Sequence, residues 1–173
     1  MIVVEANSEH VAYLSDFGSK SFVDAYQSTL PLEALVSYVE VAFSESTIRK
    51  EIEDASAAYF ICKDAYSNSC GYMKLVQSPA PESIDTDSHI ELQRLYVDSK
   101  FMRLGIGKLL ESHAESYAKN RNLNTIWLRV WEGNLIAREI YKNWGYIIVG
   151  TEPYEVSDEE RTVLVMRKSL FND

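Results

Sequence analysis

The order of apolar patterns along the chain constrains the fold more than any other feature. Runs with helical spacing come first, between residues 8 and 52, and extended runs follow at 59–63, 70–77 and 89–97. Helix and strand patterns then alternate until two strands close the chain. Because helices do not follow each strand, a strictly parallel sheet is excluded. The sequence predicts an α+β fold, in which a mostly antiparallel twisted sheet of about seven strands has helices on both faces.

Length and composition are typical of one compact domain. The chain has 173 residues, of which 46% are hydrophobic, and we expect a single domain over 1–173. No run approaches about 18 apolar residues, and Glu5 lies where a signal peptide would be basic, so a cytoplasmic protein without a membrane span is expected. Cys62 and Cys70 lack CxxC spacing and are predicted to be free thiols. The histidines show no ligand spacing, and no metal is expected.

The net charge indicates which kinds of substrate or binding partner the protein favours. The chain carries 17 Lys and Arg against 26 Asp and Glu, a net charge of −9, so direct binding of nucleic acid is not expected. An acidic surface attracts cations and favours a basic amine as substrate, although solubility alone explains the same excess. The acidic residues concentrate in the last hairpin and in an earlier loop: Glu152, Glu155, Asp158, Glu159 and Glu160, and Glu82, Asp85 and Asp87.

Two glycines mark a corner between a strand and a helix. In FMRLGIGKLL, Gly105 and Gly107 precede a helical run whose first N–H groups have no partner within the helix, and such corners bind anions. A P-loop is excluded by Met102 and Leu109, and a dinucleotide fingerprint by Leu110. A tight turn without any ligand remains open at this point.

A second pattern lies about 30 residues further on, in NLIAREIYKNWGY. Helical spacing places Ala137 and Tyr141 on one stripe, with Asn134 at the start of the helix and Gly145 just past its end. A tyrosine hydroxyl can therefore project from a fixed position. The alternative is purely structural, with Tyr141 as a core aromatic and Asn134 as an N-cap.

Taken together, the two stretches resemble the GCN5-related N-acetyltransferase (GNAT) superfamily. Its acetyl-CoA loop, Q/R-x-x-G-x-G/A, is matched by MRLGIG, except that Met102 replaces the usual Gln or Arg and Arg103 lies beside it. Its element N-x-x-A-x-x-x-Y-x-x-x-G-F/Y is matched at every fixed position. The early helices and the runs GYMKLVQ, IELQRLYV and VLVMRKSL further resemble PaiA-type acetyltransferases, which acetylate polyamines such as spermidine.

The resemblance implies an enzyme that transfers an acetyl group from acetyl-CoA to a primary amine directly in a ternary complex. It implies that the fourth and fifth strands splay apart, that Tyr141 protonates the departing thiolate and that Asn134 contacts the cosubstrate. Main-chain groups of two segments would bind the pantetheine arm and the pyrophosphate. These are Leu95, Tyr96 and Val97, and Met102, Arg103, Leu104, Gly105, Ile106, Gly107 and Lys108.

The general base and the acceptor stay open. Glu91, in the strand beside the expected acetyl site, is the first candidate base, acting through water, and an ordinary polar strand position is the alternative. A polyamine such as spermidine or spermine is the first candidate acceptor, against a protein N-terminus, an amino acid or an aminoglycoside. A regulator that binds CoA without catalysis is an alternative from another class. The sequence leaves a homodimer open.

Overall fold

The structure is a computed structural model that describes residues 1–156 and 159–171, with side chains described outside 154–160. The strands in that part of the chain are β1 Ile2–Glu5, β2 Ala57–Lys63, β3 Ser69–Val76, β4 His89–Val97, β5 Thr125–Trp131, β6 Ile147–Val156 and β7 Glu159–Ser169. The helices are α1 Val11–Tyr26, α2 Leu32–Ala42, α3 Glu45–Glu53, α4 Ile106–Lys119 and α5 Leu135–Asn143.

The strands form one seven-stranded sheet in the order β1, β2, β3, β4, β5, β7, β6. Every neighbouring pair is antiparallel except β4 and β5, which are parallel. The predicted fold class is therefore confirmed. The one parallel pair arises because α4 carries the chain from the end of β4 back to the start of β5, as a crossover requires.

Apolar residues on the two faces of the sheet pack against different helices. On one face α4 covers a core formed by β3, β4 and β5, with Leu110 and Ala114 fully buried. On the other face α1 and α3 pack on β2 and β3 through Leu14 and Ile48, which are equally buried. The alternation of side chains along each strand supplies both faces, so helices on both sides are required to cover them.

Two helix faces differ from those that the sequence spacing predicts. The apolar spacing places Leu32 and Leu35 on one face of α2, but Leu32 is 74% exposed, whereas Leu35 is buried. In α4, Leu109 is 37% exposed and Glu111 is fully buried, although the sequence places Glu111 on an exposed side. The Glu111 carboxylate is buried because it accepts hydrogen bonds at 2.6 Å from both Lys108 and Lys168. A buried charge is tolerated when it is paired and hydrogen-bonded in this way.

Both cysteines are buried free thiols, as predicted from their spacing. Within the described residues, none of the helices combines the length and the apolar character needed to span a bilayer.

Candidate active site

The parallel pair β4 and β5 separates after a short stretch. Pairing runs from His89 opposite Thr125 to Glu91 opposite Trp127 and stops there, while β4 continues to Val97. On its other side β4 stays paired with β3 as far as Val97. The edge of β4 that faces β5 therefore carries main-chain groups without a strand partner beyond Glu91, as the resemblance implied for the fourth and fifth strands.

A bulge in β4 changes which residues face which side of the sheet. Arg94 lies opposite Lys74, but Leu92 lies opposite Leu75, so Gln93 is an extra residue in β4. Leu92 packs against α4, whereas Arg94 lines a pocket on the opposite face. Bulges redirect side chains in this way and are common beside active sites.

The glycine corner forms a concave group of backbone N–H donors. Arg103 has φ +63° and Gly105 has φ +80°, and alternation into the left-handed region turns successive N–H groups toward one another. In the described part of the chain, the N–H groups of 103–108 donate to no backbone or side-chain acceptor. A Cβ on Gly105 would meet no atom within 4 Å, so the corner is open on that side. These donors at the start of α4 fit an anionic group such as a pyrophosphate.

Gly107 has a different environment from Gly105. A Cβ added to Gly107 would lie 3.2 Å from Cη2 of Trp144 and 3.8 Å from Cδ2 of Leu95. The absence of a side chain at 107 therefore makes room for the Trp144 ring, in addition to any backbone approach by a ligand. This contact joins the glycine corner, the splayed strand β4 and the end of α5.

Tyr141 lies on α5 at this junction. Its ring meets Trp144 and Tyr146 edge to face, each with 5.6 Å between centroids. Burial raises the pKa of the Tyr141 hydroxyl well above its usual value, and Tyr26 raises it further. The group is therefore a proton donor at neutral pH, and its hydroxyl has no hydrogen-bond partner among the described residues.

Asn134 is the N-cap of α5, as the structural alternative predicted. Its Oδ1 accepts a hydrogen bond from the Ala137 N–H at 3.1 Å. Its Nδ2 donates to no described acceptor, so the amide still has two donors for a ligand. At the other end of the helix Gly145 has φ +94°, which confirms the predicted left-handed residue after α5.

The exposed side chains of the corner are apolar and basic. Met102 and Leu104 are 58% and 61% exposed, and Arg103 is exposed between them. The Lys108 ammonium is bound by Glu111 and lies 5.8 Å from the Trp144 ring. Backbone N–H groups are thus the main donors at the corner, and Arg103 is an exposed cation beside the apolar Met102.

A pocket of 360 Å³ opens on the face opposite α4, beside the splayed strands. It collects residues from α1, α2, α3, β3, β4, β5 and β7, including the predicted residues Glu91 and Tyr96. Tyr26, which affects the pKa of Tyr141, lines it too. The charged residues of its lining are Glu51, Lys74, Glu91, Arg94, Arg129 and Arg161.

Glu91 is buried at the edge of this pocket and 4% exposed. Its Oε1 accepts from Arg129 Nη1 at 3.1 Å, and its Oε2 accepts from Ser78 Oγ at 2.6 Å. Arg129 also donates to Glu152 at 2.8 Å. A carboxylate has about four lone-pair sites, so two remain for water or an amine. Glu91 is therefore fixed in position rather than a freely moving polar residue.

Sequence reasoning missed most of the pocket lining. Glu51, Lys74 and Arg129 come from three elements that are far apart in the chain. The one local signal is the pair of adjacent polar residues Gln93 and Arg94, which interrupts the alternation of β4 at the bulge. Of the acidic hairpin, Glu152 pairs with Arg129. Asp158 and the side chains of Glu155, Glu159 and Glu160 lie outside the described residues.

Comparisons with known proteins agree with this fold. The chain is 23% identical over 169 residues to an uncharacterised N-acetyltransferase in the pepI 3′ region of Lactobacillus delbrueckii subsp. lactis, covering 97% of this chain and 96% of the relative. The PaiA N-acetyltransferase of Thermoplasma acidophilum, solved with coenzyme A, superposes with a TM-score of 0.77 at 20% identity, over 98% of this chain and 99% of that one.

A third likeness is to a spermidine N-acetyltransferase SpeG chimera from Vibrio cholerae and hSSAT, with a TM-score of 0.71 and 20% identity, over 98% of this chain and 95% of that one. At such identities the solved structures show the fold alone. The sequence model described as Acetyltransferase (GNAT) family matches residues 20–146, which is most of the chain. The chain therefore belongs to the acetyltransferase (GNAT) family of acyltransferases.

Proposed function

We propose that this protein transfers the acetyl group of acetyl-CoA to the nitrogen of a primary amine. The observation that carries the proposal is the junction at Gly107, where the N–H donors of 103–108, the separated strand β4 and Tyr141 on α5 come together. Anion donors, unpaired main-chain groups and a proton donor are the three parts that CoA binding and thiolate departure need.

Different residues would contact different parts of acetyl-CoA. The N–H groups of 103–108 bind the pyrophosphate, with Arg103 adding a positive charge nearby. Leu95, Tyr96 and Val97 offer main-chain groups to the pantetheine arm, and Asn134 offers its Nδ2 protons. Acetyl-CoA supplies the activated acetyl group. These contacts use backbone groups, the neutral Asn134 amide and the Arg103 cation, so they bind the cosubstrate without consuming a catalytic group.

The transfer requires three proton movements. The acceptor ammonium loses one proton, its nitrogen forms a bond to the acetyl carbon, the C–S bond breaks, and the sulfur takes the proton of the Tyr141 hydroxyl. The nitrogen then loses a second proton, which restores the Tyr141 hydroxyl. The sum is an acetylated amine, free CoA and one released proton. We assign Tyr141 as the acid because its raised pKa keeps it protonated. We assign Glu91, through a water, as the base at the pocket edge.

Glu91→Gln tests the base. We expect kcat to fall by about a hundredfold, because Gln keeps the shape but cannot take a proton, while the KM for acetyl-CoA changes little. The matched control is Glu152→Gln, since Glu152 also pairs with Arg129 but does not line the pocket. Steady-state kinetics across pH measures both. Equal losses in the two variants would show that Glu91 only positions Arg129.

Two acceptor classes have support. A polyamine such as spermidine or spermine is supported by the net charge of −9 and by the likeness to PaiA and to a spermidine N-acetyltransferase. An amine that also carries an anionic group is supported by the charges of the pocket, as argued in the next subsection. In either case we propose a cytoplasmic enzyme, which agrees with the two free thiols.

An amine panel with acetyl-CoA tests the function and ranks the acceptors. It contains spermidine, spermine, a peptide with a free N-terminus, amino acids and an aminoglycoside, and mass spectrometry detects the products. We expect acetylation of at least one small amine. Peptide or aminoglycoside turnover without any small amine would reject the acceptor proposal. Acetyl-CoA binding without any acetylated product would favour the regulator that binds CoA without catalysis.

A further inference from the structure

The pocket beside the splayed strands contains an arginine that no described carboxylate neutralises. Arg94 lines the pocket from β4, and its Nη2 donates to the Ala42 carbonyl at 3.1 Å. The guanidinium stacks on Phe43, with Cζ 4.1 Å from the ring centroid. Its Nη1 is buried and has no hydrogen-bond partner. Within the described residues, the ion pairs of this pocket do not include Arg94.

The two carboxylates that line the pocket already pair with basic side chains. Glu51 accepts from Lys74 at 2.7 Å and from the Tyr59 hydroxyl. Glu91 accepts from Arg129 and Ser78. Neither carboxylate is therefore a free counter-charge for a cationic substrate. A second ammonium brought to Glu51 would have to compete with Lys74, which is buried in place beside it.

Tyrosine side chains neighbour the Arg94 guanidinium. Burial lowers the pKa of Arg94, but interactions with these tyrosines, Tyr72 first, raise it above its usual value, so the group keeps its charge. Burial raises the pKa of Tyr72 and of Tyr96, although the interaction of the buried Tyr72 hydroxyl with Arg94 lowers the pKa of Tyr72 in part. A guanidinium only donates hydrogen bonds, and each protonated phenol has one O–H donor besides its acceptor oxygen. Buried donors without acceptors are costly, so this cluster favours a ligand that brings acceptor atoms and negative charge.

We propose that Arg94 and its neighbouring tyrosine hydroxyls form an anion subsite, and that the acceptor is a small primary amine bearing a carboxylate or a phosphonate. The inference rests on the proposed acetyl transfer, because it names the class of amine that the same pocket takes. The anionic group binds at Arg94, and the amine end points toward the strand separation at Glu91. A volume of 360 Å³ is near the lower limit of small-molecule sites, which fits a small acceptor.

Matched acceptors test the subsite. The probes are linear amino carboxylates from glycine to 6-aminohexanoate, each compared with its uncharged carboxamide, with 3-aminopropylphosphonate and spermidine alongside. At the favoured chain length we expect kcat/KM for the carboxylate to exceed that for its amide by about tenfold or more, as one charge-assisted hydrogen bond gives. Comparison of 3-aminopropylphosphonate with the carboxylates shows which of the two anionic groups the subsite prefers. No carboxylate or phosphonate above its amide or above spermidine would overturn the proposal.

Variants assign the preference to Arg94. Arg94→Gln should lower kcat/KM for the preferred carboxylate by about tenfold and leave that for its amide within about twofold, and Arg94→Lys should restore part of the loss. Arg121→Gln is the matched control, because Arg121 also stacks on an aromatic ring, 3.6 Å from Tyr117, but does not line this pocket. Equal losses for carboxylate and amide in Arg94→Gln would show a structural role and overturn the proposal.

Calorimetry with the unliganded protein separates this inference from the proposed function. If the protein binds an amino carboxylate and Arg94→Gln weakens that affinity, the result supports the subsite even when no amine is acetylated. Acetylation of amines with no preference for those that carry an anionic group would contradict the subsite but would still support acetyl transfer. Thermal unfolding of each variant checks that the fold is retained.

Discussion

Tyr141→Phe is expected to lower kcat by more than about tenfold while the affinity for acetyl-CoA stays nearly unchanged. The change removes only the hydroxyl, because the phenyl ring keeps its edge contacts with Trp144 and Tyr146. The raised pKa of Tyr141 means that the lost group was a protonated donor. Single-turnover kinetics measure the rate of acetyl transfer, and an equilibrium titration measures the affinity for acetyl-CoA.

Tyr146→Phe is the matched control for this experiment. Tyr146 touches Tyr141, is buried and has a hydroxyl without a hydrogen-bond partner, but it lies on the side of Lys168 and Glu111 rather than at the strand separation. We expect Tyr146→Phe to keep kcat within about twofold of that of the unchanged protein. An unchanged rate in Tyr141→Phe would remove Tyr141 from the mechanism.

Gly107→Val should weaken acetyl-CoA binding by about tenfold or more and lower kcat as well. A Cβ at 107 would lie 3.2 Å from Trp144, and the two further methyl carbons of Val require the ring to move. Overpacking of this kind typically costs about 1–3 kcal/mol. Trp144 packs against Tyr141, so its displacement also moves the proton donor. Calorimetry and steady-state kinetics measure the two effects.

Gly107→Ala provides a graded comparison, since its single methyl needs a shift of only a few tenths of an ångström. We expect Ala to lie between Gly and Val for both quantities. Unaltered acetyl-CoA affinity in Gly107→Val would contradict the assignment of the corner as the pyrophosphate site. A loss of affinity with an unchanged kcat would instead show that Trp144 does not position Tyr141.

Local sequence patterns were sufficient to locate the elements that carry the candidate site. The extended run predicted at 89–97 gives β4 with the bounds that the structure has. The N-cap Asn134 and the left-handed Gly145 bound α5, and the spacing between them places Tyr141. Such features depend on neighbouring residues, so the sequence contains them directly.

Features that depend on distant residues could not be predicted. Glu111 is buried because Lys168, 57 residues further along the chain, neutralises it, and no helical spacing contains that information. The close packing at Gly107 depends on Trp144, the residue that follows α5. The pocket beside the splayed strands is assembled from seven elements, and the ion pairs that occupy Glu51 and Glu91 follow from tertiary packing. Net charge and the resemblance to PaiA-type acetyltransferases predict a polyamine acceptor, whereas the charges that line the pocket follow only from tertiary packing.

The central claim is acetyl transfer to an amine, and the release of CoA thiol tests it most directly. The purified protein is incubated with acetyl-CoA and the amine panel, and free thiol and acetylated amine are quantified in the same samples. We predict that the two products appear in equal amounts, only when an amine is present, and that Tyr141→Phe slows both together. Acetyl-CoA binding with neither product, for any amine, would contradict the account.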